Sequence, residues 1–219
     1  MESCCGFSKM IGAQHPVSSG NPCPILRALV AGGHVPDRST SLKQIGKIAA
    51  HLSGTPTNPN HITGMLTGLV AMIANGLSPL TIACNLRHGV RFDRLRDGPL
   101  DKHGVGSGVL DAQGMVNSAN LDRLNQFASD KTDLSGVIER GLDEGEIVTM
   151  MDANFARASK TRGTIDRRLM DGEFPLLLKM MGKDGTAGLY LSLAELRTLI
   201  TDQRLPARVM AKLGKAGTS

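Results

Sequence analysis

The chain has 219 residues, 41% hydrophobic and 21% charged, a balance that excludes a disordered polymer and leaves room for one sizeable core. Aromatic residues make up only 3%, so the core is expected to be aliphatic, with 11 Met as adaptable filler. The net charge of +5 is scattered along the chain without aromatic interleaving, which argues against nucleic acid as a partner.

Residues 1–21 carry Gly, Ser, Pro and His without periodicity and read as an irregular arm; residues 22–219 read as one domain. A short helix is expected over Pro24–Ala31, stopped by Gly32-Gly33. Ser41 can cap a second helix through Leu52, with Leu42, Ile45, Ile48, Ala49 and Leu52 on one face. Asn60 opens an amphipathic segment that runs to Asn75-Gly76, and Pro79–Leu86 suits another helical piece. Residues 88–116, rich in Gly and charge, read as a long loop of the kind that wraps a ligand. Asn117 or Ser118 starts a helix to Ala128, and Asp133 is placed as the cap of a broken helix through Ala158. Glu173–Met181 reads as an apolar helix, and Ser192 as the cap of Leu193–Asp202. Period-two alternation is confined to a short stretch near Leu189–Leu191. The fold expected from this pattern is mainly α, a single compact helical domain without an internal repeat.

The longest apolar stretch, around residues 67–74, is too short to span a bilayer. The segment Met1–Gly6 lacks the charged and apolar regions of a secretory signal. Together these predict a protein with no membrane span and a cytoplasmic location. The four cysteines, Cys4, Cys5, Cys23 and Cys84, match neither a zinc spacing nor a disulfide framework.

Two positions carry candidate chemistry. In Asn21-Pro22-Cys23-Pro24 the first proline keeps the approach extended, and the second is suited to the first helical position. Cys23 then falls at the helix N-cap, facing unpaired N–H groups and the positive end of the helix dipole. That environment favours the thiolate, the metal-binding form; the plainer alternative is a buried structural cysteine. Glu173, in Asp171-Gly172-Glu173-Phe174, is either a first-turn carboxylate that stabilises a helix or a proton carrier beside an apolar wall.

The run Pro22-Cys23-Pro24-x-Leu26-x-x-Leu29, continued by Gly33-His34-Val35-Pro36, resembles the proximal motif of the haem-thiolate peroxidases, the family of chloroperoxidase and the unspecific peroxygenases. A second match follows in the same order: Gly172-Glu173-Phe174-Pro175-Leu176-Leu177-Leu178, then Leu196-Arg197-Thr198-Leu199-Ile200 and Gln203-Arg204-Leu205-Pro206. The resemblance implies a helical, chloroperoxidase-like domain around a haem b. It makes Cys23 the axial ligand of the iron, with Pro22, Pro24, Leu26 and Phe174 about the cofactor. It also implies that Glu173 moves the proton of hydrogen peroxide. Its partner is Arg167, if the alignment slips by one from Asp166, or its neighbour Arg168, or His103 as in the chloroperoxidase branch. The expected activity is peroxide-driven oxidation or oxygenation of a small, apolar organic substrate.

The chain departs from the family where an acidic run binds magnesium beside a haem propionate. Here stand Gly106-Ser107-Gly108-Val109, with Asp101 and Asp111 at other offsets. Magnesium is therefore not expected, and Lys102 can pair with the propionate. Arg27 stands where the family keeps Asn. These departures leave open a haem-binding sensor or carrier without turnover, and a helical interaction module without a cofactor.

Overall fold

The computed structural model describes residues 15–53, 79–97, 108–111, 113–158 and 174–214. The expected amphipathic segment that begins at Asn60 lies outside them.

Local signals build the N-terminal part. Helix α1 (Pro24–Ala31) begins on Pro24 and buries Ile25, Ala28 and Leu29. It ends where the Gly32 N–H returns to Ala28 O and the Gly33 N–H to Val30 O. Helix α2 (Leu42–Leu52) is capped by the Ser41 hydroxyl, which accepts from the Gln44 N–H at 3.2 Å. Helix α3 (Pro79–His88) leads to a bridge in which Thr40 and Val90 exchange both N–H···O bonds, at 3.0 and 2.9 Å. A 3₁₀ segment, Phe92–Asp97, follows and sets Phe92 into the core. Asn117 caps helix α4 (Ser118–Arg123), which tightens into a 3₁₀ turn over Leu124–Gln126.

The second half overturns the mainly α, single-helical-domain expectation. The chain is mixed α/β, with a four-stranded antiparallel sheet. After strand β1 (Ser129–Thr132), the segment expected as a broken helix from Asp133 is instead a turn, strand β2 (Ile138–Leu142) and helix α5 (Glu144–Ala158). Asp133 does accept from backbone N–H groups, as a cap would. Its Oδ1 takes those of Ser135 and Val137, both at 2.9 Å, and the Gly136 N–H returns to Asp133 O. Gly136 has φ +87°, which bends the chain back rather than winding it into a helix. The same turn closes the bridge between Leu110 and Val116: Asp111 Oδ1 accepts from Gln113 and Met115 N–H, and Gly114 has φ +76°. Asp-x-x-Gly-apolar is thus one turn used twice, at 111–115 and 133–137.

Helix α6, described over residues 174–181, is followed by β3 (Lys183–Gly185), β4 (Gly188–Ser192), helix α7 (Leu193–Thr201) and helix α8 (Ala207–Gly214). The sheet order is β1-β2-β4-β3. Each hairpin runs straight into a capped helix with a glutamate in its first turn. Asp143 and Glu146 cap α5 reciprocally, and the Ser192 hydroxyl caps α7 through the Glu195 N–H. The two units meet through β2 and β4 with Leu142 opposite Leu191, the residue before the cap in each. The segment therefore uses the same hairpin-then-helix arrangement twice, the later hairpin having the shorter first strand, three residues against four, and the shorter turn.

Helix α7 packs on β2, β4 and α1, and α8 packs on α2. Lys212 of α8 donates to Leu52 O at the end of α2, 3.0 Å away. Arg208 of α8 pairs with Glu195 and donates to the last carbonyls of the α6 end, Met181 O and Gly182 O. Both halves share one core, in which Leu29, Leu52, Phe92, Leu142, Met150, Met181, Leu199 and Val209 are fully buried.

Candidate functional site

Cys23 is the N-cap of α1. Its backbone is extended, with φ −83° and ψ 116°, and its side chain makes no capping bond. Pro24 follows at the start of the helix. Cys23 is half-buried, as are Pro22, Pro24 and Leu26; Cys23 and Leu26 pack against the core to which Ile25, Ala28 and Leu29 belong. The extended Cys23 at the N-cap and the helix start at Pro24 are as the Pro-Cys-Pro run predicts, whereas the sulfur accepts no capping bond from the first-turn N–H groups.

The segment before Cys23 is held tightly. Asn21 is completely buried, and its Oδ1 accepts from the Cys23 N–H at 3.3 Å. Its Nδ2 has no hydrogen-bond partner among the described residues. A leftover buried donor of this kind costs about 1–3 kcal/mol and marks a position worth a functional explanation. Arg27, one turn into α1 and 6% exposed, donates to Asn21 O at 3.1 Å and Ser18 O at 3.3 Å. Gly20 allows the segment to lie against the 3₁₀ turn: a Cβ there would stand 1.9 Å from Asp93 O.

Beside Cys23, Leu26 helps line an apolar cavity of about 30 Å³, together with Ile25, Leu29, Ile45, Phe92 and Met180. Met180 brings α6 against α1 at this point. Phe174, the first described residue of α6, is 8% exposed and belongs to the core. The other expected site residues, Glu173, Arg167 and His103, lie outside the described residues, as do Arg168, Asp101 and Lys102. Asp111 is described, and its Oδ1 is engaged in the turn it forms. Among the described residues, no three His, Cys, Asp or Glu side chains gather as a metal site; a single axial thiolate does not need such a group.

Sequence reasoning missed Asn21 and Arg27. The signal for Arg27 was present: a guanidinium on the buried side of an amphipathic helix, where the spacing calls for an apolar residue. It also missed a dense polar cluster among the described residues, which joins the two hairpins. Glu139 accepts from Lys183, from the Tyr190 hydroxyl at 2.8 Å and from the Ser192 hydroxyl. Burial pushes Glu139 up, but the bonds from Lys183, Ser192 and Tyr190 outweigh it and hold the carboxyl below its usual range. The bond to Glu139 in turn raises Lys183 against the effect of burial. Asp133, with the Ser135 hydroxyl and the Val137 N–H as its main donors, is lowered to about 2. Every bond in this cluster joins one part of the hairpin pair to another, so its evident work is to lock the fold.

No protein-family model, no curated protein and no solved structure matches the chain. Among the described residues no helix is long and apolar enough to cross a membrane.

Proposed function

We propose that the protein is a haem-thiolate enzyme, a peroxidase or peroxygenase, with Cys23 as the ligand of the iron. The observation that carries this reading is the place of the Cys23 thiol: half-buried, at the N-cap of α1 and set between two prolines. Such a sulfur fits a thiolate ligand, because the helix dipole and the first-turn N–H groups stabilise its negative charge. Pro22, Pro24 and Leu26 supply an apolar rim to the same face, and Phe174 stands at the start of α6. The cavity of about 30 Å³ beside Leu26 holds no more than a water-sized group, so its role is packing rather than cofactor binding.

Haem, when bound, supplies the iron at which peroxide is activated. Cys23 would hold the iron through its sulfur, and a thiolate there would favour cleavage of the O–O bond. Glu173 would take a proton from hydrogen peroxide and return it to the oxygen that leaves as water. Arg167 or His103 steadies that carboxylate. An organic substrate of small, apolar character suits the aliphatic composition.

Replacing Glu173 by Gln tests the chemistry. Glutamine keeps the shape but carries no proton, so haem binding should persist while the reaction with peroxide slows about a hundredfold to ten-thousandfold. A variant that reacts at the parent rate overturns the role of Glu173. A parent protein that binds haem through sulfur and leaves peroxide intact is a sensor or carrier instead.

A further inference from the structure

We propose that Arg27 is the positioning residue for Cys23: its buried guanidinium sets the backbone geometry from which the sulfur is presented. This inference rests on the reading of Cys23 as the haem ligand.

The connections form a closed ring. The Arg27 N–H donates to Cys23 O at 2.9 Å, as the first turn of α1 requires. The Arg27 guanidinium reaches back over that turn and its Nη1 bridges Asn21 O and Ser18 O. Asn21 then holds the Cys23 N–H through its side chain. The Ser18 carbonyl also accepts from the Asn21 N–H at 3.2 Å, closing the turn that contains Gly20. One side chain therefore ties both ends of the 18–21 turn to the helix that Cys23 caps. The contacts extend outward. The Ser18 N–H donates to Asp37 Oδ2 at 3.0 Å, and Gly20 rests on the backbone of Asp93, itself paired with Arg91.

A buried arginine is a costly way to fill space. An aliphatic residue at position 27 would serve packing better. What the guanidinium adds is a planar, charged donor whose Nη1 bonds two carbonyls from one place. An N-cap has non-helical angles and is the least restrained residue of a helix start. For Cys23 that freedom is removed by a group four residues on in the same helix.

The test uses the full chain in two states. In the haem-free protein, amide exchange is followed at Asn21 and Cys23 in the parent, in Arg27→Met and in Arg27→Lys. The expected result is at least tenfold faster exchange of both amides in Arg27→Met, with the α2 amides of Ile45 and Ala49 unchanged. Arg27→Lys should fall between, since one ammonium matches the two carbonyls less well. In the haem-loaded protein, the carbon-monoxide complex of the reduced form reports the ligand. Arg27→Met should lose at least half of its thiolate-type band, and Arg27→Lys a smaller part. Unchanged exchange, or a full thiolate-type band in both variants, overturns the proposal. If Arg27→Met does not fold, the Arg27→Lys comparison decides alone. A parent protein without a thiolate-type band refutes the reading of Cys23, whereas the exchange result still judges the Arg27 clamp.

Discussion

Residues 15–53 and residues 129–201 are organised in opposite ways. In the first region the contacts that set the helix starts are short in sequence. Arg27 reaches Asn21 and Ser18, six and nine residues away, and Ser41 caps the turn that holds Gln44. In the second, one carboxylate gathers partners 44, 51 and 53 residues distant. The first region is specified by caps and helix stops, each of which acts within a turn or two. The second is specified by a polar hub that exists only after two hairpins have met.

The largest expected effect that sharpens this contrast is removal of the hub. Glu139→Ala leaves Tyr190, Ser192 and Lys183 without their shared acceptor. Bonds to a charged acceptor contribute about 1.5–3 kcal/mol each, less where water can replace them, so a loss of about 3 kcal/mol is expected in chemical denaturation. Lost exchange protection should be concentrated in β2 and β4. Equal loss across α1 and α2 would show that the halves are not organised differently. The same cluster fixes the acid response. Glu139 and Asp133 both have lowered values in the fold, so they stabilise it above their ordinary carboxylate range. That contribution fades as pH falls through the folded values, about 2 for Asp133. The protection of the Val137 amide, measured relative to its intrinsic exchange rate at each pH, should therefore fall on acidification before that of α2.

A middle-sized effect is expected from Gly136→Ala. No atom lies within 4 Å of the added methyl, so the penalty is the left-handed backbone alone, about 1–2 kcal/mol. Denaturation by urea measures it, and a variant as stable as the parent would show that the turn had changed type. The smallest is Ser41→Ala, at about 1 kcal/mol for a lost N-cap, with faster exchange limited to the Gln44 end of α2.

The same contrast explains what could be read in advance. The bounds of α1 and α2, the caps at Ser41, Asn117 and Ser192 and the extended Cys23 were legible because their causes are local. Of the sheet only β4 was legible, in the alternation near Leu189–Leu191; β1, β2 and β3 carry no apolar alternation. Lys131, Glu139, Lys183 and Tyr190 pair with one another across the hairpins, so charge replaces hydrophobicity on that face. Asp133 was misplaced as a helix cap because an aspartate binds the N–H groups of a turn and of a helix start alike. Gly136, three residues on, held the information that separates them. Arg27 stood in the sequence as a departure from a family pattern, and its place on the apolar side of α1 held the sign of its burial.

The central claim is that Cys23 presents a thiolate to haem iron. It is tested most directly by the absorption spectrum of the reduced carbon-monoxide complex, recorded for the parent and for Cys23→Ala. The parent should show a thiolate-type band, and Cys23→Ala should lose either the haem or that band while Cys84 remains in place. A parent that takes up no haem, or a Cys23→Ala protein that keeps the parent spectrum, would contradict the account.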